Sequence, residues 1–384
     1  MVALFAFLPF LFFYITPYFI YKSLILIGGF SALRFFKIKL RRVSFILLFF
    51  LSLVVVYGSM IEMVRYNTDL LQVVNNFLVC GLVILLSIYI VKKGYSKEIP
   101  LCIAHNIVQV ILLVAGIFSF FFPIAEILGQ EWKPYGGGVF RATSIFPESG
   151  MYAVTSYALF FVYRALFPTV STIARGKLLL AYLLVGTNLL LSVSGIGLLL
   201  FSFLVVSLYS EVRYKSIRLL FILLGAVLLG AMLYGAGIGD RFSGEDFFYS
   251  SFQGDIPPGP SASIALKISN VNCVFKGEWW LGKGIGENSR LTFDSVLADG
   301  RANIMDGCAF VNSNGMPLLF LLHYGLLGFV LCLLAGLSFV KSGGSISLVL
   351  GFLATRLGDS SLTFLVFSIL FTRLSIRKSA KESK

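Results

Sequence analysis

Arg141 and Glu148 stand seven residues apart where a polar stretch runs into an apolar one, with Phe146, Pro147, Ser149, Gly150 and Tyr152 around them. Burying charge beside an apolar run is costly, so an opposite pair at a helix entrance could face one cavity and act on a molecule held there. An architectural role is open to the same pair: Glu148 caps the helix beside Ser149, and Arg141 pairs with it. The chain has two histidines. His323 lies in a late apolar run, where a hydrogen-bonded structural histidine is one reading. His105, with Asn106 and Gln109, reads as hydrogen-bonding glue between helices. The acidic residues show no metal-ligand spacing, and no His/Cys zinc cluster exists. Gly282, Gly284 and Gly286 lack the strand-helix-strand context of a dinucleotide fingerprint and read as tight-turn glycines.

The elements that must hold these residues follow from composition. A chain of 384 residues that is 58% hydrophobic and 13% charged, with a mean hydropathy of +0.91, cannot cover itself with water-compatible side chains. Disorder, collagen, coiled coil and a secreted disulfide scaffold each need high charge, a short repeat or dense cysteine, and are excluded. What remains is an all-α, polytopic transmembrane bundle in a lipid bilayer. The net charge of +13 does not mark a nucleic-acid binder, because the basic residues sit in short connectors between apolar runs.

A membrane-crossing helix takes roughly 20 apolar residues. The runs give twelve spans at about 2–19, 20–36, 43–61, 70–91, 99–122, 150–168, 178–192, 195–210, 219–236, 316–340, 345–357 and 359–373. Met1–Phe10 has no basic residue and reads as a retained first span rather than a cleaved signal. The stretches 178–210 and 345–373 could each be one long helix or a hairpin, and charge favours hairpins. With both termini cytoplasmic, the inward connectors, Arg34 and the basic tail hold 20 of the 31 Lys and Arg but only Glu98, Glu211 and Glu382 among the acids. One miscounted span would scramble that sorting. The expected organisation is residues 1–236 as nine spans with an outward loop at 123–149, residues 237–315 as a large outward loop, and residues 316–384 as three spans and a cytoplasmic tail. Ile264, Ile268, Val271 and Phe275 give the large loop a short amphipathic helix.

Four segments together resemble the bacterial O-antigen polymerase (Wzy-type) family. Arg141, Phe146 and Glu148 match its Arg, aromatic and Glu before a helix, although Pro147-Glu148-Ser149 reverses the family's Glu-Pro-Ser order. Ser192, Ser194 and Gly195 match a Ser-x-Ser-Gly turn at the tip of a span pair. Leu281, Gly282, Gly284 and Gly286 are similar to a glycine turn late in the large periplasmic loop. Asn314, Tyr324, Gly325 and Gly328 match the span that follows.

The resemblance implies a bacterial inner-membrane glycosyltransferase that joins undecaprenyl-diphosphate-linked oligosaccharide repeats at the periplasmic face. It implies no cofactor and no metal, and it leaves room for a chain-length regulator as partner. A diphosphate leaving group suits arginine, whose fork of donors is permanently charged. Arg141 and Arg241 are the first choices because each lies near a membrane face, with Arg356, Arg290 and Arg301 behind them. Glu148 and His323 are the candidates to orient or deprotonate the acceptor hydroxyl. Trp279, Trp280 and Tyr152 are the aromatic candidates for sugar contact, interfacial anchoring being the alternative for the paired tryptophans. A related O-antigen ligase would open span ten with His-Asn, where this chain has Asn314. A flippase or transporter of lipid-linked sugars would show repeat symmetry, which the sequence lacks. Cys273 and Cys308 share the outward loop, and a disulfide between them is open.

Overall fold

The computed structural model describes residues 6–11, 25–30, 40–66, 70–94, 97–128, 135–136, 139–167, 175–211, 280–282, 315–355 and 360–375. Helix dominates, with helical stretches at 6–11 and 25–30 followed by ten labelled helices. These are α1 (Arg42–Tyr66), α2 (Leu70–Gly94), α3 (Glu98–Phe118), α4 (Ile124–Ile127), α5 (Ser149–Leu166), α6 (Arg175–Leu191), α7 (Gly195–Glu211), α8 (Met316–Lys341), α9 (Ile346–Ala354) and α10 (Ser360–Arg373). Among the described residues the only sheet is a two-residue antiparallel pairing between α4 and α5, with Tyr135 opposite Phe140 and Gly136 opposite Val139.

Among the described residues, four segments are long and apolar enough to cross a membrane: Arg42–Ile61, Val73–Gly94, Glu98–Phe118 and His323–Lys341. The faces of α3 show what surrounds the bundle. Ile103, Ile107, Val110, Ile111, Val114 and Ile117 are exposed at helical spacing, while His105, Asn106 and Gln109 are buried on the opposite side. A helix in water would be turned the other way round. Apolar outside and polar inside is the arrangement that lipid favours, because polar side chains must then find partners within the bundle.

The chain divides into two compact units. The first comprises Met1–Leu51, Leu78–Met232 and Leu334–Lys384, and its centre is α5. This helix packs on α3, α6, α7, α9 and α10. Nearly all of its side chains are buried, including Tyr152, Tyr157, Phe160, Phe161 and Tyr163. Phe161 stacks on Phe352 at 4.1 Å, and the Tyr157 hydroxyl donates to the Leu348 carbonyl at 3.1 Å, tying α5 to α9.

The two stretches that the sequence left open, 178–210 and 345–373, are both broken. Leu191 ends α6, Ser192 and Val193 turn with Val193 at φ 43°, and α7 starts at Gly195. Within this turn Ser194 accepts the Gly197 amide at 3.1 Å, which satisfies one of the open donors at the start of α7. In the C-terminal stretch α9 ends at Ala354 and α10 begins at Ser360.

The second unit comprises Ser52–Phe77 and Leu233–Leu333. Within it α8 is interrupted at Gly325, which takes φ 62° and ψ −155°. This backbone conformation is essentially restricted to glycine. Trp280–Gly282 lies against the interruption, the Leu326 amide donating to the Trp280 carbonyl at 3.2 Å. The Tyr57 hydroxyl of α1 donates to the Leu281 carbonyl at 2.7 Å and holds the same segment.

Candidate functional site

Residues 141–148 lead directly into α5 and are fastened at two places. The Ala142 amide donates to the Leu191 carbonyl at 3.2 Å, at the tip of α6. At the end of α3, the Ser119 hydroxyl accepts the amides of Thr143 and Ser144 at 3.0 and 3.2 Å and donates to the Gly116 carbonyl at 2.7 Å. Ser144 takes a positive φ of 56° and sends its hydroxyl to the Leu112 carbonyl at 2.9 Å. Short polar side chains tolerate this conformation when they find local partners. Phe146 is fully buried, and its ring lies nearly parallel to that of Tyr152, with centroids 6.4 Å apart.

Two segments that the sequence singled out separately therefore meet: the run from Arg141 to Tyr152 and the turn from Ser192 to Gly195. Arg141 is half-buried beside this junction. Glu148 occupies the N-cap position of α5 in an extended conformation, but its side chain makes no capping hydrogen bond and is exposed. The expected carboxylate cap is thus met in position only. A free carboxylate near the start of a helix is still favoured by the unpaired amides there.

Beneath this surface lies a connected set of buried polar side chains. The Tyr152 hydroxyl donates to Asn188 Oδ1 at 2.7 Å, and Asn188 Nδ2 donates to Gln109 Oε1 at 2.7 Å. Ser156 also donates to Gln109 Oε1 at 2.7 Å, and Gln109 Nε2 donates to the Ser156 carbonyl at 2.9 Å. Gln109 Nε2 lies 3.2 Å from His105 Nε2, and His105 Nδ1 lies 3.2 Å from Asn106 Oδ1. Asn106 donates to the Lys177 carbonyl at 3.1 Å. These bonds join α3, α5 and α6, in keeping with the gluing role read for His105, Asn106 and Gln109.

Tyr152 is a correction. Its ring is fully buried under Phe146 and its hydroxyl is committed to Asn188, so it supports the junction and offers no face for stacking on a sugar. Asn188 was not singled out in the sequence, although a lone carboxamide in the apolar run 178–191 is itself a signal of an internal partner.

The second unit joins another two of the singled-out segments. Gly282, at φ 75°, and Gly325 cross backbone against backbone, a Cβ on Gly282 falling 2.5 Å from the Gly325 nitrogen. Trp280 is 56% exposed beside this crossing, while His323 is half-buried with its ring 6.3 Å from that of Tyr324. Arg241, Arg290, Arg301, Arg356, Trp279, Asn314, Cys273, Cys308 and the amphipathic helix expected at 264–275 lie outside the described residues. Cys80, Cys102 and Cys332 are buried.

Comparison of the chain with protein-family models, with curated proteins and with solved structures gives no significant match.

Proposed function

We propose that the chain is a membrane glycosyltransferase of the O-antigen polymerase kind, which joins undecaprenyl-diphosphate-linked repeat units at the outward face of the bacterial inner membrane. The observation that carries this reading is the bond from Ala142 to Leu191: it draws two of the segments that resemble that family into one junction, beside an exposed Glu148 and a half-buried Arg141. In the reaction, an acceptor-sugar hydroxyl attacks the anomeric carbon of the donor. The bond from that carbon to the diphosphate breaks, and undecaprenyl diphosphate leaves. Arg141 is assigned to the charge growing on the diphosphate oxygens, and Glu148 to the proton of the attacking hydroxyl. Arg241 and Arg356 stand next in line for the diphosphate, and Trp279 and Trp280 for the sugars. A chain-length regulator is the protein partner this activity would use.

The accompanying topology is twelve spans with both termini cytoplasmic and residues 237–315 outside. Reporter fusions at Lys384 and at Gly254 are expected to give opposite compartment signals. Equal signals would overturn the span count. For the activity, deletion of the gene in its native host should leave surface glycolipid carrying a single repeat, as seen on a gel. Free unattached polymer would instead indicate a ligase, and complete loss of surface sugar a flippase.

A further inference from the structure

We propose that Asn188, held by Gln109, is a positioning residue that fixes the turn from Phe146 to Glu148 through the hydroxyl of Tyr152. The statement that this turn bears a reacting group rests on the proposed function; the statement that Asn188 holds it does not.

Four observations converge. Asn188 is fully buried and accepts on one side while donating on the other: from the Tyr152 hydroxyl at 2.7 Å, and to both the carbonyl and Oε1 of Gln109 at 3.2 and 2.7 Å. A carboxamide does both from one side chain, whereas ionised aspartate lacks the donor and leucine lacks both. Gln109 is itself fixed by Ser156, whose hydroxyl and carbonyl engage the two ends of its amide. The Tyr152 hydroxyl lies close over Gly116 of α3, where an added Cβ would come within 2.8 Å of it. Finally, the Tyr152 ring carries Phe146, two residues from Glu148. The phenol is thereby held at its tip by Asn188 and lies under the turn along its ring. Two of the links in this network are carboxamides, which do not titrate, so the network holds geometry rather than passing protons.

The test compares Tyr152→Phe and Asn188→Ala with Tyr157→Phe, which removes a different buried hydroxyl, further along the same helix, whose bond runs to Leu348. A trifluoroethylthio probe is carried on Glu148→Cys in protein with Cys273 and Cys308 replaced by serine, and its 19F line is recorded in detergent. Kinetics are measured on the same three variants without the probe. Tyr152→Phe and Asn188→Ala are expected to shift or broaden the 19F line. They should lower kcat by about 10-fold to 10²-fold with little change in the KM for donor, as a small misplacement of a reacting group does. Tyr157→Phe should do neither. Should Tyr152→Phe, the milder change, leave the line where the parent protein has it, or should Tyr157→Phe move it equally, the proposal is overturned. If the parent protein forms no polymer at all, the proposed function fails and the 19F comparison still decides the role of Asn188.

Discussion

Replacing Arg141 by lysine should lower polymer formation by about 10²-fold or more, although the positive charge is kept. A diphosphate gains charge on several oxygens as the glycosidic bond breaks, and a guanidinium meets two of them with parallel donors. An ammonium meets them as a point charge. The partner substitution is Glu148→Gln, which keeps size and hydrogen-bonding ability and removes basicity. Because the Glu148 carboxylate makes no capping bond in the structure, its exchange should cost little in folding, and any loss of polymer reports on chemistry. Polymer length in cells, with membrane abundance measured in parallel, separates a dead variant from an absent one. Normal abundance and full-length polymer for both variants would make the junction architectural and move attention to Arg241 or Arg356.

A large effect on folding is expected where Gly325 crosses Gly282. An alanine at 325 would take a conformation closed to side chains, costing about 1–3 kcal/mol. Its Cβ would also overlap the Trp280 carbonyl oxygen and come within 2.7 Å of the Leu281 carbonyl carbon. Backbone cannot swing aside as a flexible side chain can, so the overlap adds about 1–3 kcal/mol more. Tyr57→Phe, which loses only the bond to Leu281, is the measured contrast at about 1 kcal/mol. Thermal unfolding of detergent-purified protein checks the ranking. Gly325→Ala melting with the parent protein, or above Tyr57→Phe, would show that the interruption of α8 is not fixed by this crossing.

Among the described residues, helix position was largely legible because apolar runs cut by charge carry it locally. The expected 43–61, 70–91 and 150–168 correspond to Arg42–Tyr66, Leu70–Gly94 and Ser149–Leu166. The break between α6 and α7 was legible through charge sorting. Which face of each helix meets which neighbour was not legible, because in an apolar chain both lipid and protein accept the same side chains. That is why Tyr152 looked available to a sugar and is buried instead. The interruption at Gly325 was hidden for a related reason: glycine inside an apolar run is compatible with an unbroken helix until another backbone is found against it. The junction itself depends on Ala142 meeting Leu191, a contact between backbone atoms that no side-chain pattern encodes. Ser119, which holds two amides of the same segment, falls inside the expected span 99–122 and was not singled out.

The most direct measurement uses purified protein in liposomes with a synthetic undecaprenyl-diphosphate oligosaccharide as both donor and acceptor. The account predicts a ladder of products one repeat apart, with one undecaprenyl diphosphate released for each bond formed, and loss of the ladder in Arg141→Lys. No ladder, together with transfer of sugar to added lipid A-core or movement of the intact donor across the bilayer, would contradict it.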